Sequence, residues 1–337
     1  MNLVDVMRAR RRIAAHVRRT PMVRSAWLSD RCGGEVWLKL ESLQVANSFK
    51  SRGAFNAVVA RLERQPAPSR LVTASAGNHG RSLAAAAEAF KLPLVVFTPA
   101  NAPAAKLDAI RRHGAALRAE APDYDEAERQ AKAFAAADGG EFISPYNDED
   151  VIAGAATVAV EMLEDAPALD TLIVPIGGGG LISGVAVAAK AIAPGCRVVG
   201  IEAAASHAFQ TSIRAGRLVE IVPGPTIADG LGGNPDPETI TFGFIRNLVD
   251  CIETVSEDDL TAAIAGLVEH EHLVAEGAGA AGVAALVGDR VDVRGRRTAI
   301  IVSGSNIDRA RVASILSGAE QGAEPARPLR GSRIAAP

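Results

Sequence analysis

The chain has 337 residues, 48% of them hydrophobic and 22% charged, with a net charge of −3. This length suits two compact lobes, and the weak charge with only 4% aromatic residues excludes the basic, stacking surfaces that nucleic acids require. No apolar run reaches the length of a membrane span, and Cys32, Cys196 and Cys251 form neither a CxxC pair nor a Cys/His cluster, so they read as free thiols of a reducing cytoplasm with no metal site.

Val6, Ile13 and Val17 recur at helical spacing and predict a helix over residues 3–19, stopped by Pro21. Asp5 and the uncleaved run into Thr20-Pro21 set this Arg-rich start apart from a transit peptide. A strand at 35–40 feeds the turn Ser48-Phe49-Lys50-Ser51-Arg52-Gly53-Ala54, which opens an Ala-rich helix. Further strands are expected at 71–74, 94–98, 116–118, 142–144, 172–176, 197–202 and 298–302. Helices are expected at 81–90, 104–113, 123–137, 151–165, 181–193, 207–215, 237–249, 259–272 and 278–287, with one more after the last strand. Such alternation implies parallel sheets covered on both faces. Residues 320–337, rich in Pro, Arg, Gly and Ala, read as a disordered tail.

Four loops follow predicted strands, at the sheet ends where open α/β folds bind ligands. Lys50 stands at a helix start, where the dipole favours its neutral amine. Only a neutral amine attacks a carbonyl, so the position suits a Schiff-base lysine. Gly177-Gly178-Gly179-Gly180 lies between a buried strand and a helix. Four glycines in a row forfeit backbone entropy. Amides converging on a phosphate would justify them, as would tight strand–helix packing alone. No Lys-Ser/Thr pair follows, so this is not a Walker A loop, and Ile182 and Ser183 break both registers of the dinucleotide fingerprint. A cup for the phosphate of a mononucleotide-sized group survives. Ser75-Ala76-Gly77-Asn78-His79-Gly80 is a turn of small residues whose amides would hold a carboxylate and whose Asn78 amide both donates and accepts, or else a simple helix cap. His79 reads as a packed histidine rather than an acid–base group. Ser303-Gly304-Ser305-Asn306 either sets a hydroxyl against a ring nitrogen or caps the final helix.

With Thr226-Ile227-Ala228-Asp229-Gly230 and Glu276-Gly277-Ala278-Gly279-Ala280, these motifs resemble, in the same order from about residue 5 to 317, those of the threonine dehydratase and serine racemase family. Its members are pyridoxal-phosphate enzymes of fold type II. The resemblance implies an α/β chain like tryptophan synthase β, with two parallel-sheet domains and helices on both faces. It implies a large cofactor-binding domain at 1–64 and 148–319 and a small mobile domain inserted at 65–147. Pyridoxal 5′-phosphate would be held by Lys50 as a Schiff base, by Phe49, by Asn78 on its phenolic oxygen, by Gly177, Gly178, Gly179 and Gly180 around its phosphate, and by Ser303 on its pyridine nitrogen. A small amino-acid substrate would lie on Ser75, Ala76, Gly77, Asn78 and His79. A cytoplasmic homodimer or higher homo-oligomer is implied, with neither a nucleic-acid nor a membrane partner.

A neutral serine cannot keep the pyridine nitrogen protonated as a carboxylate would, which leaves a moderate electron sink. With Lys50 taking the α-proton, this disposition suits expulsion of a β-hydroxyl. The expected activity is β-elimination on a small β-hydroxy-L-amino acid, L-threonine or L-serine, giving a 2-oxo acid and ammonia. Rival readings are a 3-hydroxyaspartate or phenylserine dehydratase, a serine racemase, a catalytically silent cofactor-binding protein and, most distant, a nicotinamide oxidoreductase. A second substrate carboxylate would want an added cation, from Arg52 or another arginine.

The departures from the family pattern carry expectations too. Ala46-Asn47 replaces a common Thr-Gly, which puts the substrate in question. Ala76 replaces the serine that racemases use, which disfavours racemisation. Glu202 is kept, but Ala208 stands where the family's cation site has an aspartate, so no metal is expected. Ala155-Ala156 stands where Gln-Gly is common, close to the expected cofactor. With no regulatory domain after residue 320, a degradative role is favoured over feedback control.

Overall fold

The structure, a computed structural model, describes residues 1–137 and 139–318; the tail expected at 320–337 lies outside the described residues. In chain order the elements are α1 (Leu3–Ile13), β1 (Met22–Ser25), α2 (Ala26–Cys32), β2 (Glu35–Lys39), α3 (Lys50–Leu62), β3 (Leu71–Ala74), α4 (Asn78–Ala89), β4 (Leu94–Pro99), α5 (Ala104–Arg111), β5 (Ala116–Ala121), α6 (Tyr124–Ala137) and β6 (Glu141–Phe142). The chain continues through α7 (Glu149–Asp165), β7 (Thr171–Pro175), α8 (Gly180–Ile192), β8 (Arg197–Ala203), α9 (Ala208–Ala215), α10 (Thr241–Leu248), β9 (Cys251–Val255), α11 (Glu257–Glu271), α12 (Gly277–Val287), β10 (Arg297–Ile301) and α13 (Arg309–Leu316).

The strands form two sheets. One runs β1-β2-β10-β7-β8-β9 and the other β5-β4-β3-β6. Every pairing is parallel except that of the edge strand β1, which runs antiparallel to β2. Leu172, Ile173 and Val174 in β7 are fully buried, as a strand covered on both faces must be. On one face of the larger sheet, α11 and α12 pack Leu260, Ile264 and Val283 with Leu38 and Ile300. On the other, α7 and α8 pack Val158, Met162 and Val185 with Val174 and Val198. The smaller sheet is covered likewise, by Ala54, Val58 and Leu83 of α3 and α4 on one side and by Ala127 and Ala131 of α6 on the other. The expected α/β architecture of fold type II, with helices on both faces of two sheets, is therefore present.

Some elements differ from expectation. Helix α1 stops at Ile13, after which His16 turns its ring against Phe55 and Phe90, at centroid distances of 5.6 and 4.8 Å. The edge strands β1 and β9 went unread because neither presents a buried run; four of the five residues in β9 are only half-buried. Helix α4 begins at Asn78, not at residue 81, with Gly77 as its N-cap. Ala155 and Ala156 do not line the site. They lie in the core of α7, where Gly184 of α8 approaches within 2.9 Å of the Ala156 amide nitrogen, counted from an idealised Cβ. Two small residues let these helices pack closely.

Candidate active site

The carboxyl ends of β3 and β7, the loop after β10 and the start of α3 open onto one cavity of about 990 Å³. Its wall includes all the site residues expected from sequence: Phe49, Lys50, Ser75, Ala76, Gly77, Asn78, His79, the four glycines and Ser303. Residues from 47 to 308 meet there, so the topology gathers what the chain separates.

Lys50 is the first residue of α3. The turn before it is stitched to the loop after β10. The Phe49 amide donates to the Ser303 carbonyl (3.0 Å), the Ser305 amide to the Asn47 carbonyl (3.0 Å), and the Asn306 side chain to the Ala46 carbonyl (2.9 Å). Ala46 and Asn47 both have left-handed backbone, with φ of 57° and 58°. That conformation is easy for the glycine common at the second position and tolerable for asparagine, but costs about 1 kcal/mol at alanine. Gly53 lets α3 meet α7; a Cβ there would lie 2.6 Å from the Val151 carbonyl oxygen. So fixed, the Lys50 amine donates to the Pro145 carbonyl at 2.8 Å and lies 5.2 Å from the Phe49 ring centroid. Among the described residues, no carboxylate pairs with it. Burial pushes its pKa down to about 8, with Glu276 opposing the shift. The free amine that Schiff-base chemistry requires is therefore far more populated near neutral pH than in an ordinary lysine.

In the glycine loop the amides of Gly177, Gly178 and Gly179 donate to no acceptor among the described residues. The opening turn of α8 adds its own unpaired N–H groups. Side chains here would have no room: a Cβ on Gly177 would lie 2.5 Å from the Gly230 carbonyl oxygen, one on Gly178 would enter the Tyr146 ring, and Gly179 has φ +85°. The Thr241 hydroxyl takes the Gly178 carbonyl at 3.0 Å. Packing therefore demands the glycines, and the same packing leaves a row of donors with nothing to bind. Unpaired amides suit a phosphate, and a lysine whose pKa is lowered, across the same cavity, suits an aldehyde. The residues fit the group that the resemblance implies.

Asn78 is more committed than the sequence suggests. Its amide nitrogen donates to Glu276 (2.5 Å) and its oxygen accepts from Asn306 (2.6 Å), leaving one N–H for a ligand. Glu276 was legible only as part of a motif; here it is buried, with its pKa pushed up to about 7 by burial, while the bond from Asn78 opposes the shift. His79 is 2% exposed, its ring nitrogens make no hydrogen bond of ordinary geometry, and its pKa is pushed down to about 3 by burial and by Lys50. It is a neutral imidazole in the wall, not an imidazolium, at working pH. An added Cβ at Gly77 would meet nothing within 4 Å, which places this residue on open space. The hydroxyl of Ser303 lies 3.3 Å from the Ala278 carbonyl. Ser303 does not cap the final helix, whose N-cap is Asp308.

Three neighbouring groups complete the surroundings of the site. Arg52 faces away from the cavity and is bound by Glu41 and Glu161, so it cannot serve a second substrate carboxylate. Glu202 uses both oxygens on the amides of Phe209 and Gln210 (2.9 and 2.8 Å) at the start of α9, with its pKa pushed up to about 7 by burial. Tyr146, beneath Gly178 and accepting from the Asp236 amide at 2.9 Å, is a cavity residue that the sequence reading missed.

The chain matches the family described as pyridoxal-phosphate dependent enzyme over residues 13–304. It is 40% identical over 308 residues to the L-threonine ammonia-lyase of Thermotoga maritima, covering 91% of this chain and 76% of that one. It is 38% identical over 318 residues to the L-threo-3-hydroxyaspartate ammonia-lyase of Saccharomyces cerevisiae, covering 94% and 97%. The solved structure of maize serine racemase superposes with a TM-score of 0.88 at 33% identity, covering 94% and 97%. A lysine amine with its pKa lowered to about 8 and a row of unpaired glycine amides share a cavity in a chain of this ancestry; it belongs to the pyridoxal-phosphate dependent enzymes, and pyridoxal phosphate is its cofactor.

Proposed function

We propose that this enzyme dehydrates a small β-hydroxy-L-amino acid, L-threonine or L-serine, releasing a 2-oxo acid and ammonia. Pyridoxal phosphate, when bound, supplies an aldehyde for the substrate amine and a ring that draws electrons from the α-carbon. Lys50 would hold that aldehyde, and Gly177, Gly178, Gly179 and Gly180 would receive the phosphate on their amides. Phe49 and Asn78 would hold the ring and its phenolic oxygen, and Ser303 would serve the pyridine nitrogen. No carboxylate stands at that last position to keep the nitrogen protonated. The start of α4 leaves the amides of Asn78 and His79 without intrahelical acceptors. With Ser75, Ala76 and Gly77 they form an anion-binding turn for the substrate α-carboxylate.

The observation that carries this reading is the Lys50 amine, free of any carboxylate partner among the described residues and lowered to a pKa of about 8, in the same cavity as the glycine loop. A lowered amine takes the α-proton as a general base. Elimination needs one such base, whereas racemisation needs a second proton donor. Ala76, in the wall, has no proton to give. Residues 65–147 are read as the small domain that closes over the cavity. Lys106–Asp229 (2.5 Å) and Lys132–Asp236 (2.9 Å) are ion pairs between this segment and the rest of the chain that opening would break. The assembly is read as a homo-oligomer, and the three unpaired cysteines suit a reducing compartment such as the cytoplasm. A 2-oxo acid assay over L-threonine, L-serine and other hydroxy amino acids tests the activity. Release of 2-oxobutyrate or pyruvate, absent in Lys50→Ala, supports it; no release from any β-hydroxy amino acid overturns it.

A further inference from the structure

Most arginines packed between elements here are neutralised. Arg12, Arg19, Arg52, Arg61 and Arg64 each meet carboxylates at hydrogen-bonding distance. Two arginines on the cavity wall break this pattern. Arg81 lies in the first turn of α4, at the positive end of the helix dipole, where a cation is disfavoured. Its one hydrogen bond from the guanidinium goes to the neutral side-chain oxygen of Asn306, and its Nε is buried with no partner. Arg112, at the end of α5, has no side-chain hydrogen bond or ion pair among the described residues, and it lies close enough to Arg81 to repel it. Burial first, then Arg112, pull the Arg81 pKa below its ordinary value, with Glu276 opposing.

The carboxylates of the same wall do not relieve this. Asp229 is taken by Lys106 and Glu276 by Asn78, and Asp123 accepts from the Glu126 amide at 2.9 Å. Asp125 and Asp308 are exposed, and neither forms an ion pair with these arginines. Two cations on one cavity wall, one of them partly desolvated, are stable together when an anion lies between them.

We propose that Arg81 and Arg112 form the receiving site for a second carboxylate on the substrate, extending the substrate class to dicarboxylic β-hydroxy amino acids such as 3-hydroxyaspartate. This rests on the dehydratase reading above and adds the side chains that set specificity. Arg81 supplies a planar fork suited to two-point contact with a carboxylate. Arg112, at the rim, draws the anion in.

The test compares specificity constants for L-threonine and L-threo-3-hydroxyaspartate in the wild-type holoenzyme, Arg81→Gln, Arg112→Gln and Arg81→Lys. The ratio favouring the dicarboxylate falls about 10- to 100-fold in Arg81→Gln, the loss expected when a charge-assisted contact is removed. It falls less in Arg112→Gln and is partly restored in Arg81→Lys. Succinate, an unreactive dicarboxylate, raises the melting temperature of the wild type more than propionate does, and this difference disappears in Arg81→Gln. A merely structural role for Arg81 lowers both substrates equally and leaves the ratio unmoved, which overturns the proposal. So does a wild type that releases ammonia from threonine and none from the dicarboxylate. Ammonia from neither substrate overturns the dehydratase reading itself.

Discussion

Lys50 and Arg52 stand two residues apart on α3 and occupy opposite electrostatic surroundings. Arg52 is fully buried, with its guanidinium doubly bonded to Glu41 (2.8 and 2.8 Å) and doubly bonded to Glu161 (2.7 and 2.9 Å). Burial works against its charge, but the two glutamates more than offset that and its pKa is raised. Lys39 joins the cluster through Glu161 at 2.7 Å. Lys50 has only a carbonyl and an aromatic face, and burial lowers its pKa to about 8. One end of a helical turn is thus built to keep a charge and the other to shed one. The difference lies in which face of α3 meets α7, with its Glu161, and which meets the cavity.

The largest predicted effect falls on the reactive side of this pair. Lys50→Ala lowers ammonia release by at least about a thousandfold while leaving the urea midpoint of the cofactor-free protein nearly unchanged or raised, since a desolvated cation is removed. The reverse pattern is expected for Arg52→Met, which leaves Glu41 buried without its cation. It costs about 3–5 kcal/mol in urea unfolding. If Arg52→Met proves as stable as wild type, the charge-keeping half of the comparison fails.

Smaller effects sharpen the contrast. Gly178→Ala drives a methyl group into the Tyr146 ring. Overpacking of about 1–3 kcal/mol is expected, together with weaker retention of pyridoxal phosphate, measured by dialysis and absorbance. Glu276, whose carboxyl is raised to about 7 from an ordinary 4.5, binds its proton more tightly folded than unfolded. Its contribution to stability is full below about 4.5 and is lost as pH rises through 7. Cofactor-free Glu276→Gln therefore loses less stability than wild type between those pH values, by about 3 kcal/mol. Parallel pH profiles for the two proteins would contradict this.

What could be read from sequence, and what could not, divides along the same lines. Lys50 before a helix and the four glycines after an all-apolar strand are local signals, complete within a few residues, and both reach the cavity as expected. The central strands announced themselves by unbroken runs such as Leu172-Ile173-Val174. Edge strands β1 and β9, half in water, did not. The start of α4 was missed because Asn78 and His79 read as turn residues, whereas Gly77 caps the helix ahead of them. Everything decided by tertiary pairing was out of reach: Tyr146 under Gly178, Glu276 on Asn78, Arg81 beside Arg112. Arg52 shows the same limit. From sequence it was a spare cation near the site, and only the fold shows that Glu41 and Glu161 already hold it.

The account rests on the amine at position 50 being the one that carries the cofactor. Borohydride reduction of the holoenzyme, followed by peptide mass mapping, tests this directly. A pyridoxyl phosphate adduct on the peptide containing Lys50, and on no other lysine, is the predicted result; an unmodified Lys50, or an adduct at Lys39 or Lys106 instead, would contradict it.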